Sequence, residues 1–417
     1  MNDKDRKIFP KDFLWGASTA SHQVEGGTEN QWTVWELENA AHLSKTAEER
    51  LSWMPAWEEV KGQATDPENY ISANGVEHYT KYSEDFKIAK SLNLNSFRFG
   101  IEWSRVEPVE GQWDDNAWKH YREYIEELLD LGIEPIMNLW HWTMPTWFTD
   151  KGGFAKRKNL RDFDRFVAKA CEELPVDKLK FVITLNEPNV YSSFGYMTAE
   201  WPPQQKSFFT FVKVYYNLTR AHIRSYKILK AANPDLQIGV AAQLANIQAK
   251  RPQNLLDLFA TRWMRYFWNW WFLNRIRKHQ DYVGFNYYFT DYYRFGSFKD
   301  IMKKKFFYTA NPELPKNDLG WYMEPEGIYP LMVRIWAHYK KPIMITENGL
   351  ADRNDEYRRW WIEESIVAME RARSEGIGLI GYMHWSLLDN FEWAFGWWPQ
   401  FGLVHVDRKT MKRTVRP

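Results

Sequence analysis

The sequence predicts an α/β chain closed into a (β/α)8 barrel, on three observations. Eight short runs rich in β-branched, aromatic and aliphatic residues alternate with longer segments of helical period. The alternation is strict and unbroken by any low-complexity linker, so the sheet is parallel with right-handed crossovers, and residues 1–417 read as a single domain. Eight repeats favour closure over an open doubly wound sheet, and Gly16 and Gly26-Gly27 do not make the phosphate loop such a sheet would carry.

In order, the first strand is placed at residues 12–18, where Phe13, Leu14 and Trp15 precede small residues. Residues 28–75 contain Trp and Pro without a clear period and are read as a loop with short helical turns. From there the unit repeats. Helices are placed at 79–94, 117–131, 162–174, 207–232, 255–277, 326–339 and 355–375, several stopped by Gly132, Asn233-Pro234 or Gly376. Strands follow them at 96–103, 134–142, 181–188, 237–243, 282–288, 342–349 and 379–386, each a near-continuous apolar run suited to burial on both faces. This gives seven helices between eight strands.

Composition narrows the function. A formal net charge of +1 gives no field to draw nucleic acid or an anionic membrane, so neither is expected as a partner. Two basic clusters, Lys303–Lys305 and the tail from Arg408 to Arg416, are read as solvated surface. The single cysteine, Cys171, lies in a helical pattern, which disfavours a catalytic thiol and fits a reducing compartment. Met1–Lys7 is charged with no apolar run behind it, and no stretch is long enough to span a bilayer, so the expected location is the cytoplasm. Aromatics are abundant, with 24 Trp, 22 Tyr and 26 Phe. Most must be core, but flat indoles also stack on the C–H faces of sugar rings. The run from Trp263 to Phe272 is read as packing.

In such barrels the chemistry stands at the carboxyl ends of the strands. Two runs, Val182–Pro188 and Ile343–Gly349, end abruptly in Glu187 and Glu347. A buried carboxylate is costly unless paired, hydrogen-bonded or protonated, so two of them suggest a pair that the fold assembles. Other strand ends carry Gln23, Glu102, His141-Trp142, Asn186, Asn286-Tyr287-Tyr288 and Trp385. The set holds amides, indoles and one imidazole, and lacks the spacing of a metal site, so no metal or cofactor is expected. Paired carboxylates at a barrel mouth equip a chain for glycoside cleavage with retention.

Seven motifs in order carry a resemblance over essentially the whole chain. They are the run from Phe13 to Gly26, Arg98–Arg105, His141-Trp142 before Pro145, Thr184–Asn189, Gly284–Tyr288, Ile345–Gly349, and Trp385–Trp393 followed by Phe401–Val404. The chain resembles glycoside hydrolase family 1, the retaining β-glycosidases. The resemblance implies Glu187 as acid/base and Glu347 as nucleophile, flanked by Arg98 and Tyr288. It implies Gln23, His141, Asn186 and Glu392 on hydroxyls of the non-reducing sugar with help from Trp393, Trp385 as stacking platform, and Trp321 on the leaving-group side. Trp142, Asn286 and Phe401 complete the expected substrate-binding set. Glu102 is left aside as a barrel ion-pair partner.

The chain departs from the family pattern in three places. Only about a dozen residues separate Asn274 from the strand holding Asn286, which implies a more open leaving-group side. The sequence stops at Pro417, where the family continues into a last outer helix, so that helix is expected to be missing. Residues 394–400 carry bulky aromatics beside the sugar site. Relatives acting on 6-phosphosugars replace the Glu392 position, so its presence favours a neutral sugar. The expected substrate is therefore a neutral β-glucoside, galactoside, fucoside or mannoside. The competing readings are transglycosylation onto a hydrophobic acceptor and a non-catalytic sugar-binding barrel; homo-oligomers remain open.

Overall fold

Eight parallel strands close in the cyclic order β1, β11, β10, β7, β5, β4, β3, β2. In chain order the strands are β1 (Leu14–Ser18), β2 (Ser96–Gly100), β3 (Glu134–Asn138), β4 (Phe181–Asn186), β5 (Gln237–Gln243), β6 (Asn246–Ala249), β7 (Val283–Tyr287), β8 (Thr290–Phe295), β9 (Phe307–Thr309), β10 (Ile343–Asn348), β11 (Leu379–Trp385), β12 (Val404–Asp407) and β13 (Lys412–Val415). This computed structural model describes residues 9–296, 307–309 (backbone only) and 314–417. The predicted barrel is present, each of its eight strands within one of the predicted runs. Lys303–Lys305 and Met1–Lys7 lie outside the described residues.

The barrel interior is filled by Ile136, Ile183, Ala241, Tyr282, Met344 and Met383. Gly239 is required here: a Cβ on it would stand 2.7 Å from the Tyr282 ring. That ring plugs the barrel and donates its hydroxyl to the Val182 carbonyl at 3.2 Å. The outer helices bury one stripe each, as the period demanded. The helix Asp115–Asp130 buries Trp118, Tyr121, Tyr124, Ile125 and Leu128, and Asp114 caps it by accepting from the Asn116 and Ala117 amides.

Three readings are corrected. Residues 28–75 include a regular helix, Gln31–Lys45, started by an Asn30–Thr33 capping box. Its buried face includes a charge, Glu36, which broke the apolar period. The Glu36 carboxylate is satisfied by His22 Nε2 at 2.7 Å and by the Ser72 amide and hydroxyl at 2.8 and 2.7 Å. Second, the basic tail is not merely solvated: Arg413 is buried and pairs with Asp85 at 2.9 Å, while Arg416 pairs with Asp389 at 2.9 Å. Third, the run Trp263–Phe272 is only partly packing. Trp270 and Phe272 are buried, but Trp263, Tyr266 and Phe267 are exposed.

After β11 the described chain runs through a loop with a 3-10 turn at Trp393–Phe395 into the β12–β13 hairpin, and no outer helix follows among the described residues. The segment 415–417 instead lines a groove with Trp15, Leu92, Ile362, Ile366 and Tyr382 on the barrel flank. No helix among the described residues is long and apolar enough to cross a membrane.

Candidate active site

Both glutamates stand where their strands become irregular. The β4–β5 register shifts between Ile183 and Asn186, and the β10–β7 register shifts between Ile345 and Glu347. Such irregularities re-aim side chains at a barrel rim. Glu187 adopts φ 42°, a left-handed conformation uncommon for a residue with a Cβ, and its amide is pinned to the Ala241 carbonyl at 2.7 Å. Pro188 then starts the next helix. Trp142 and Trp393 are left-handed too, with φ 74° and 51°. Three residues of one cleft thus hold strained backbone, which concentrates at functional sites.

The two carboxyl groups have different surroundings. Glu347 Oε1 accepts a charge-assisted bond from Arg98 Nη1, and Oε2 accepts from the Tyr288 hydroxyl at 2.6 Å. Both contacts hold the carboxyl group from two sides. Glu187 is buried and accepts one neutral bond, from Asn286 Nδ2 at 2.8 Å. Burial, then the charge of Glu347, hold the Glu187 carboxyl well above the usual range, against the smaller opposing effects of Asn286 and Arg98.

The site continues outward from this pair. Arg98 Nη2 donates to Asn186 Oδ1 at 2.7 Å, and Asn286 Nδ2 reaches the same oxygen at 3.2 Å. Asn186 Nδ2 lies 2.9 Å from His141 Nε2. Burial, then Arg98, push the His141 imidazole well below its ordinary value, so it is neutral. Its ring stacks against Trp385 and Trp393 at 5.9 and 6.0 Å. Gln23 donates to the Phe391 carbonyl at 2.7 Å and to Glu392 Oε2 at 3.3 Å, while its own buried Oε1 has no partner among the described residues. An orphaned buried acceptor beside a cleft is a ready receiver for a ligand hydroxyl. Asn390 also donates to Glu392, at 3.1 Å.

A cleft of about 400 Å³ brings together Glu187, Glu347, Gln23, His141, Trp142, Tyr288, Trp321, Trp385, Glu392, Trp393 and Phe401. Arg98, Asn186 and Asn286 are fully buried behind its wall, from where Arg98 bonds Glu347 and Asn286 bonds Glu187. The Trp142 indole N–H is occupied by the Asn186 carbonyl at 3.0 Å, so this residue offers the cleft an apolar face. A larger hollow of about 670 Å³, lined by Gln31, Met144, Pro202 and Lys213 among others, touches neither glutamate. Glu102 stays out of the cleft, bonded to Ser104 and Thr143 at 2.7 and 2.8 Å.

Sequence reasoning missed part of the wall. Gln243, Met264, Trp268, Phe289 and Asp291 line the cleft with Val190 and Phe194. Gln243 ends β5 and was available to the strand-end rule; Trp268 hydrogen-bonds to its side chain. Asp291 sits among these apolar neighbours, and burial pushes its carboxyl up to about 6.

A barrel whose mouth holds two unlike carboxyl groups among indoles and amides defines a glycoside hydrolase. The sequence profile of Glycosyl hydrolase family 1 matches residues 5–278 and 273–417, and the chain belongs to that family. It is 30% identical to beta-glucosidase A of Thermotoga maritima, covering 98% of this chain and 96% of the relative. It is 28% identical to a beta-galactosidase of Sulfolobus acidocaldarius, covering 98% and 93%. Among solved structures, a beta-glycosidase from Pyrococcus horikoshii superposes with a TM-score of 0.85 at 33% identity, covering 98% of this chain and 92% of that one.

Proposed function

We propose that residues 1–417 form one catalytic unit that removes non-reducing sugars from neutral β-D-glycosides with retention, through a covalent glycosyl-enzyme. The observation carrying this reading is the asymmetry between the two glutamates. Glu347, held by a guanidinium and a phenol, attacks the anomeric carbon as carboxylate. Glu187, kept protonated by burial and by its neighbour's charge, protonates the leaving oxygen. Once Glu347 is esterified its charge is gone, so Glu187, having given its proton to the leaving oxygen, stays ionised and serves as base toward water. Trp385 carries the sugar face, and Gln23, His141 and Glu392 receive its hydroxyls. Asn286 orients Glu187 from behind, and Asn186, expected on the 2-hydroxyl, is instead held behind the wall between Arg98 and His141.

Preference for a neutral sugar has a different root from simple repulsion. Burial, with a smaller push from Glu347, raises Glu392 to about 8, so it is mostly protonated at neutral pH. Its polar partners are Gln23 and Asn390. A phosphate dianion beside Glu392 would meet an acid and the Gln23 and Asn390 amides, whereas a sugar hydroxyl is matched.

The deciding experiment follows the anomer first released from an aryl β-glucoside by NMR. The β anomer is expected; the α anomer would refute retention. Glu347→Gln should remove turnover by several orders of magnitude, and retention of more than about a tenth of it would reassign the nucleophile. The apolar wall of Val190, Phe194, Met264, Trp268 and Phe289 favours a second reading, transfer of the sugar to a hydrophobic alcohol, which product analysis with such an acceptor would separate from hydrolysis.

A further inference from the structure

Of the 20 large apolar side chains well exposed among the described residues, 11 belong to two short stretches, 208–216 and 255–267. These begin two outer helices that touch: the Tyr215 ring stacks on Trp271 at 4.5 Å, and Phe211 packs on Tyr215 at 5.8 Å. On the second helix, positions 255, 259 and 263 form one ridge at i, i+4 spacing, and Phe267 packs on Trp263 at 4.3 Å. Phe209 is 86% exposed and Leu255 80%, values a monomer in water has no reason to keep on one face.

The charges on this face are one-sided. No Asp or Glu occurs from residue 201 to 234. From 251 to 280 there is only Asp257, which is buried and held by Arg251 at 2.7 Å. The same stretches carry Lys206, Lys213, Arg220 and Arg262, none of them in an ion pair with a carboxylate among the described residues. In a chain of net charge +1 this is a local excess that the total conceals.

We propose that this face docks the enzyme on an anionic lipid surface. Phe, Leu and Trp side chains accompanied by Lys and Arg, with no unpaired acid within the two stretches 201–234 and 251–280, match the boundary between acyl chains and phosphate headgroups. A second copy of the chain is a poorer match, because apposing the face with itself would bring its cations together. The ridge also backs onto the cleft: Met264 and Trp268 of the same helix line it, so docking holds that wall of the cleft beside the lipid. The inference rests on surface chemistry and is independent of the catalytic assignments above.

The test floats the full-length protein with phosphatidylcholine vesicles, with or without about a third phosphatidylglycerol. The anionic vesicles are expected to carry at least about tenfold more protein than the neutral ones, and 0.5 M salt should cut that several-fold. Phe209→Glu combined with Leu255→Glu should abolish flotation while turnover of a soluble aryl glucoside stays as in wild type. The milder Phe209→Ser with Leu255→Ser should weaken flotation in the same direction and guards against misfolding. Lys206→Glu with Lys213→Glu should remove only the anionic preference. Absence of wild-type flotation, flotation of the Glu double variant at wild-type level, or a dimer in light scattering that this variant dissolves would each overturn the proposal.

Discussion

Arg98 grips Glu347 from inside the barrel: its Nη1 donates to the Glu347 carboxylate and to the Thr346 carbonyl at 3.1 Å. Its Nη2 is meanwhile spent on Asn186, so one rigid fork fixes the nucleophile and the amide beside the acid together. Arg98→Lys keeps a charge and loses the fork. It is expected to lower kcat by about 10²–10³-fold while KM moves less, since the lost bonds matter most as charge shifts in the transition state. Arg98→Met strands Glu347 in a buried site and should cost about 3–5 kcal/mol of stability in denaturant titration. A Lys variant with wild-type kcat would place Arg98 outside the mechanism.

Glu187 should betray its role through pH. Because its acid form donates the first proton, kcat/KM should fall as pH rises through its raised pKa, and that alkaline limb should vanish in Glu187→Gln with activated aryl substrates. In Glu187→Ala, such substrates should glycosylate quickly and turn over slowly, with azide restoring the rate as a β-glycosyl azide. No azide effect would count against Glu187 as base.

Glu392 gives a stability signature separate from activity. Its folded pKa, about 8, lies above the ordinary 4.5, so its contribution is fully present below pH 4.5 and is lost as pH climbs through 8. Deprotonation there leaves a largely desolvated charge. Glu392→Gln should therefore lose to wild type or match it at pH 5 and exceed it at pH 9, by about 2–4 kcal/mol once partial exposure is allowed for. Thermal unfolding at the two pH values checks this; parallel shifts at both would mean that Glu392 stays charged.

What the sequence made legible follows from how local the signals were. The eight strands showed because parallel strands buried on both faces read as apolar runs, and Glu187 and Glu347 showed because each broke such a run. The helix Gln31–Lys45 was hidden because Glu36 sits on its buried face, satisfied by His22 and Ser72, contacts that no local pattern reveals. The tail arginines misled for a similar reason: Arg413 finds Asp85 more than three hundred positions away. That Asn186 and Asn286 stand behind the cleft wall, and not on it, depends on strand register.

The last case, Trp268, shows the same limit and yields its own test. Its helix is apolar on every side, so periodicity could not say which ring faces core, solvent or cleft. A π-helical turn over Tyr266–Trp270 decides it, leaving Trp270 buried, Phe267 exposed and Trp268 against the cleft with its N–H on Gln243. Because the glycosyl-enzyme has already shed its leaving group, Trp268 acts only on the first step. Trp268→Ala should thus lower kcat/KM for bulky aryl or long alkyl β-glucosides by about 10-fold, the worth of one ring contact, and change the rate of azide- or water-driven deglycosylation less than about twofold. Equal losses in both steps would mean that the indole shapes the carboxyl pair instead of the leaving group, and Trp268→Phe, which keeps a ring and drops the bond to Gln243, would then fail as badly as the alanine.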